Sequence, residues 1–117
     1  MPLSCSVEDG IFVVRTSGVV KMADVEKLAL EEDLYLAEPG CPALFLVDNT
    51  ELKVISPDGA DAIVERMRLG NARITRSAFV VAEGTSALQL ARMVRESGSE
   101  KRRTFTSEAE ARRWLRA

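Results

Sequence analysis

The chain is an α/β domain whose expected order is β-β-α-β-α-β-α-β-α, a mainly parallel sheet with one antiparallel hairpin strand and flanking helices. Three observations predict this. Two short apolar runs flank the turn signal Glu8-Asp9-Gly10 and form a hairpin. The unbroken apolar run Ala43 to Val47 is typical of a strand covered on both faces. Strand-like runs then alternate with helix-period stretches to the end of the chain, which argues for parallel strands joined by helical crossovers.

The hairpin strands are expected at Leu3–Val7 and Ile11–Thr16, with Gly18 turning the chain away from the sheet. Asp24 to Ala37 reads as the first helix. Val25, Leu28, Ala29 and Leu36 share one face, Leu30 and Leu34 fall off it, and Pro39-Gly40 ends the helix. The apolar strand Ala43–Val47 leads into a polar loop, Asp48-Asn49-Thr50-Glu51.

Ser56 is placed to cap the second helix. Pro57 suits its first position, and Asp58 puts negative charge at the positive end of the dipole. Ala60, Ile63, Val64 and Met67 form its inward stripe, and Gly70-Asn71 suits its exit. A strand within Ile74–Ala82 follows. Ser86 with Gln89 has the spacing of a capping box for a third helix, with Ala87, Leu90, Ala91 and Val94 inward. Arg103–Phe105 is a short last strand. Ser107 with Glu110 repeats the capping pattern before a final helix anchored by Ala111, Trp114 and Leu115.

The 117 residues read as one domain spanning 1–117, long enough to bury a core without disulfides or metal. With 16 basic and 18 acidic residues the net charge is −2, which gives no electrostatic reason to expect a nucleic-acid partner. No apolar run approaches the ~20 residues of a membrane span, and the amino terminus has no basic-then-apolar leader, so a cytoplasmic location is expected. Cys5 and Cys41 are far apart and read as inert thiols. The absence of histidine removes the usual imidazole base and zinc ligand, and no nucleophile–base pair stands out. No enzyme, no metal and no cofactor is expected.

Several polar clusters have ordinary explanations. Glu31, Glu32 and Asp33 are consecutive on a helix and point about 100° apart, so they read as a solvated face. Glu100-Lys101-Arg102-Arg103 reads as charge protecting a sheet edge, and Gly84-Thr85-Ser86 as loop chemistry rather than an anion site.

Two segments carry a family resemblance. A strand ending in Asp48 is followed by Ser56-Pro57-Asp58-Gly59, and the chain closes on Arg103-Thr104-Phe105, Glu110-Ala111 and Trp114-Leu115. With the order of elements, these resemble STAS domains, in particular the small stand-alone proteins of the sporulation anti-sigma-factor-antagonist-like branch. The resemblance implies a STAS-like fold and a non-enzymatic regulatory role with a protein partner. In the antagonists a serine two residues after the motif's first aspartate is phosphorylated. The matching position here is Asp58, Ser56 stands for that first aspartate, and Pro57 lies between. An aspartate carries one charge where phosphoserine carries about −1.5 to −2.

The expected partner-binding residues are therefore Asp48, Asn49, Thr50, Ser56 and Asp58. A second reading, a carrier of a small apolar or lipid-like ligand, assigns Leu30 and Leu34 to a groove or a homodimer face. An apolar first-helix surface favours that reading. A polar, rigid second-helix start beside an exposed Asp48 loop favours the partner-binding one.

Overall fold

The computed structural model describes residues 2–38, 40 and 42–117. The Pro39 part of the expected helix stop and the inert thiol expected at Cys41 lie outside the described residues. The elements are β1 (Leu3–Glu8), β2 (Ile11–Val20), α1 (Met22–Leu36), β3 (Leu44–Ile55), α2 (Pro57–Gly70), β4 (Arg76–Val81), α3 (Thr85–Ser97), β5 (Arg102–Phe105) and α4 (Glu108–Arg116). They occur in the expected order. The sheet runs β1-β2-β3-β4-β5, with β1 antiparallel to β2 and the remaining neighbours parallel.

The hairpin turn has positive φ at both central residues, 51° at Asp9 and 79° at Gly10, the geometry that matches the twist of the flanking strands. Successive side chains of β2 point to opposite faces, and both faces are covered. Phe12 and Val14 join Phe45 and Ile74 beneath α1, while Ile11 and Val13 join Leu46, Ala78 and Val80 beneath α4. The larger core lies under α1, α2 and α3, where Val20, Ile55, Val64, Met67, Leu90 and Met93 meet. Three helices thus cover one face and α4 alone covers the other. Trp114 of α4 lies 5.5 Å from the Phe105 ring, with the Arg76 and Arg103 guanidiniums each 5.1 Å from its own ring centroid.

Four local expectations are corrected. Asp48–Glu51 is not a loop, because β3 continues to Ile55. It stays paired with β2 as far as Val20↔Ile55, and two register shifts, each placing one extra residue on the β3 side, absorb the mismatch. Gly18, at φ +60°, lies inside β2 between those shifts and does not end the strand. Helix α3 begins two residues early, capped by Gly84 and not by Ser86. Ser86 is buried within its first turn, and Gln89 is engaged elsewhere. On α3, Ala91 is exposed and Met93 takes the inward place.

Candidate partner-binding site

The start of α2 is built from the end of β3. The Ser56 N–H donates to the Val20 carbonyl at 2.8 Å, which ties the helix entry to the end of β2. The Ser56 hydroxyl accepts the Gly59 N–H at 3.3 Å and donates to Asp58 Oδ1 at 2.8 Å. Gly59 also donates to Asp58 Oδ1, at 2.9 Å. These bonds, the Ser56 hydroxyl first, hold the Asp58 carboxyl below the usual carboxylate range. A Cβ at Gly59 would stand 2.8 Å from Ser56 Oγ and 3.4 Å from Ile55 Cγ2, so glycine fits where the turn packs on the sheet. The result is an exposed anion at a helix start, fixed by its own turn.

The other expected contacts are not gathered there. Asp48 and Asn49 are neighbours in a strand and face opposite layers. Asp48 Oδ2 accepts from Arg15 at 2.7 Å, and its Oδ1 accepts both the Thr50 hydroxyl (2.8 Å) and the Thr50 N–H (3.1 Å). Arg15 also reaches Glu108 of α4 at 2.9 Å. Asn49 is only 1% exposed and accepts the Thr16 hydroxyl at 2.8 Å, so it is an interior strand residue and not a surface contact. Thr50 is exposed, but it lies five strand positions, about 17 Å, from Ile55. Only Ser56 and Asp58 share one surface turn.

Sequence reasoning missed an apolar pair next to this turn. Val19 and Val54 are register partners at the far end of the β2–β3 ribbon and are 44% and 37% exposed. Val20 and Ile55 beside them are buried, so the two valines face away from the larger core. Leu30 and Leu34 lie on the outer side of α1, 69% and 76% exposed. Leu34 borders a surface recess of about 480 Å³ with Val7, Phe12 and Tyr35, a recess that Leu30 does not line. Burial, then the charges of Glu31 and Glu32, push the Cys5 thiol up to about 11, away from nucleophilic character. Among the described residues, no helix is long and apolar enough to cross a membrane.

No family model and no curated protein matches the sequence. Solved structures do. An uncharacterised protein of the DUF3478 family with a SpoIIAA-like fold, from Shewanella loihica PV-4, aligns over 97% of this chain and 91% of its own at a TM-score of 0.74 and 18% identity. The anti-sigma factor antagonist SpoIIAA in its unphosphorylated form aligns over 98% of both chains at 0.70 and 15%. The chain has the SpoIIAA-like fold. An anti-sigma factor antagonist from Mycobacterium paratuberculosis is similar as well, at 0.69 and 16% over 98% of this chain and 93% of that one. At such identities the SpoIIAA-like likeness carries architecture alone.

Proposed function

We propose that the protein is a non-enzymatic regulatory module that docks a partner protein through the first turn of α2, with Asp58 as a permanent anionic contact. The observation that carries this is the Ser56–Asp58–Gly59 turn. Its carboxylate is exposed, yet its orientation is set by two short hydrogen bonds. The SpoIIAA-like fold, shared with two anti-sigma factor antagonists, supports a protein as the partner. Val19 and Val54 add apolar area beside an otherwise polar turn, a composition suited to an interface. Thr50 is a peripheral contact, held in place by Asp48. Because Asp58 has no hydroxyl to phosphorylate, the module is constitutive and not switched at this position.

The test is affinity purification from the native host with the wild-type, Asp58→Asn and Asp58→Lys chains, read by quantitative mass spectrometry. A protein retained by wild type and lost from both variants supports the reading. Identical retained sets from all three, with circular dichroism showing intact folds, would refute it.

A further inference from the structure

Between the sheet and the α1–α2 pair lies a cavity of about 320 Å³. Leu28, Phe45, Phe79, Leu90 and Met93 give it a largely apolar wall. The volume is roughly twice that of an engineered ~150 Å³ cavity that takes up benzene, and it reaches the lower range of natural ligand pockets.

The charged lining is unbalanced. Three guanidiniums, Arg66, Arg73 and Arg102, meet two carboxylates, Glu32 and Asp33. Both carboxylates are engaged by Arg66, at 3.3 and 3.1 Å. Arg73 donates to the Leu36 carbonyl. Arg102 donates, among the described residues, only to neutral acceptors, Asn71 Oδ1 at 3.0 Å and the Met67 carbonyl at 2.9 Å. Among the described residues it has no ion-pair partner, and Glu32 acts on it only through space. Burial brings its guanidinium down to about 10, as expected of a cation withdrawn from water without a bonded counter-charge.

The cavity also has a direction. Arg102 is in register with Ser77, at the start of β4. The buried Thr16–Asn49 pair lies toward the other end, since Asn49 is in register with Val81. Ser77 to Val81 spans about 13 Å of strand. Apolar wall therefore separates a cationic end from a neutral polar one.

We propose that this cavity binds an apolar monocarboxylate, its acid group on Arg102 and its hydrocarbon body against Phe45, Phe79, Leu90 and Met93. The single surplus positive charge matches a single acid group. Of the two guanidiniums bonded only to neutral acceptors, Arg73 and Arg102, Arg102 is the one withdrawn from water while Arg73 is exposed. A phosphate ester would bring more charge than the lining neutralises. This site is separate from the α2 turn and independent of the partner-binding reading.

The test is calorimetric titration of the full chain at neutral pH with octanoate, octanol and octylammonium. Octanoate saturates at one molecule per chain, octanol binds at least ten-fold more weakly, and octylammonium does not bind. In Arg102→Gln, octanoate falls to the level of octanol while octanol itself is unchanged, a pattern that general unfolding cannot produce. Amide resonances of Ser77, Phe79 and Leu90 shift with octanoate. Equal binding of octanoate and octanol, no binding of either, or shifts confined to the outer side of α1 around Leu30 and Leu34 would each overturn the proposal.

Discussion

Gln89 grips the backbone of Ile55 with both ends of its side-chain amide. Ile55 N–H donates to Gln89 Oε1 at 3.0 Å, and Gln89 Nε2 donates to the Ile55 carbonyl at 2.9 Å. Beyond Asn49, β3 has no further β4 partner, so α3 supplies this ladder rung from a side chain. Replacing Gln89 by Leu strips both partners from a buried backbone unit at once. The expected cost is about 2 kcal/mol, read as a lower urea midpoint with unchanged slope. Faster hydrogen exchange at the Ile55 amide localises the effect, and an unchanged exchange rate would contradict it.

A line of ion pairs fastens α4 to the sheet: Asp48 to Arg15, Arg15 to Glu108, Glu108 to Arg112 and Arg112 to Glu8. All three acids sit below the usual carboxylate range. Glu8 is held there chiefly by its bond from Arg112, and Glu108 by its bond from Arg15. In Asp48 burial pushes upward, but the Thr50 and Arg15 bonds outweigh it. The folded chain thus binds these protons less tightly than the unfolded one. Their contribution is fully present above the ordinary carboxylate pKa of about 4 and is lost as pH falls through the lowered folded values. Urea midpoints should fall on acidification below about pH 4, and Arg15→Met should flatten that fall.

The element order was legible because apolar runs alternate with helix-period stretches between clear turn and capping signals, and the start of α2 was legible because Ser-Pro-Asp-Gly acts within its own turn. The far half of β3 was not. Its buried residues, Asn49, Leu52 and Ile55, recur every third position because of the shifts against β2, so no period of two marks a strand. Gln89 misled for a related reason. Its spacing from Ser86 fits a local cap, yet it bonds a backbone 34 positions away, which no local pattern encodes. The cavity was equally hidden, since Glu32, Arg66 and Arg102 come from three different elements.

Tyr35 closes the end of α1 onto the sheet. Its hydroxyl donates to the Gly10 carbonyl at 2.7 Å and accepts the Leu44 N–H at 3.1 Å. Its ring packs 5.3 Å from Phe12 and 5.5 Å from Phe45. Tyr35→Phe keeps the rings and removes both bonds, with an expected loss of about 1.5 kcal/mol. Tyr35→Ala removes the packing too and should cost about 3–4 kcal/mol. Thermal and urea unfolding of the two variants separate the terms, and equal losses would mean that the hydroxyl contributes the whole effect.

Glu32 and Arg66 make the opposite case to the α4 line. Burial pushes the Glu32 carboxyl above its usual range, and the Arg66 charge and hydrogen bond only partly offset it. The folded chain therefore holds this proton more tightly than the unfolded one. The charged form is a burden at neutral pH, relieved as pH falls through the raised folded value. Glu32→Gln, a neutral side chain of the same shape, should leave stability unchanged or raise it by up to about 1 kcal/mol. Arg66→Ala leaves Glu32 charged without its cation and should cost about 2 kcal/mol. Adding Glu32→Gln to Arg66→Ala should recover most of that loss, because the buried carboxylate is then no longer charged without its cation. Urea denaturation of the two single variants and the double variant at neutral pH decides it, and a Glu32→Gln loss larger than that of Arg66→Ala would reverse the assignment.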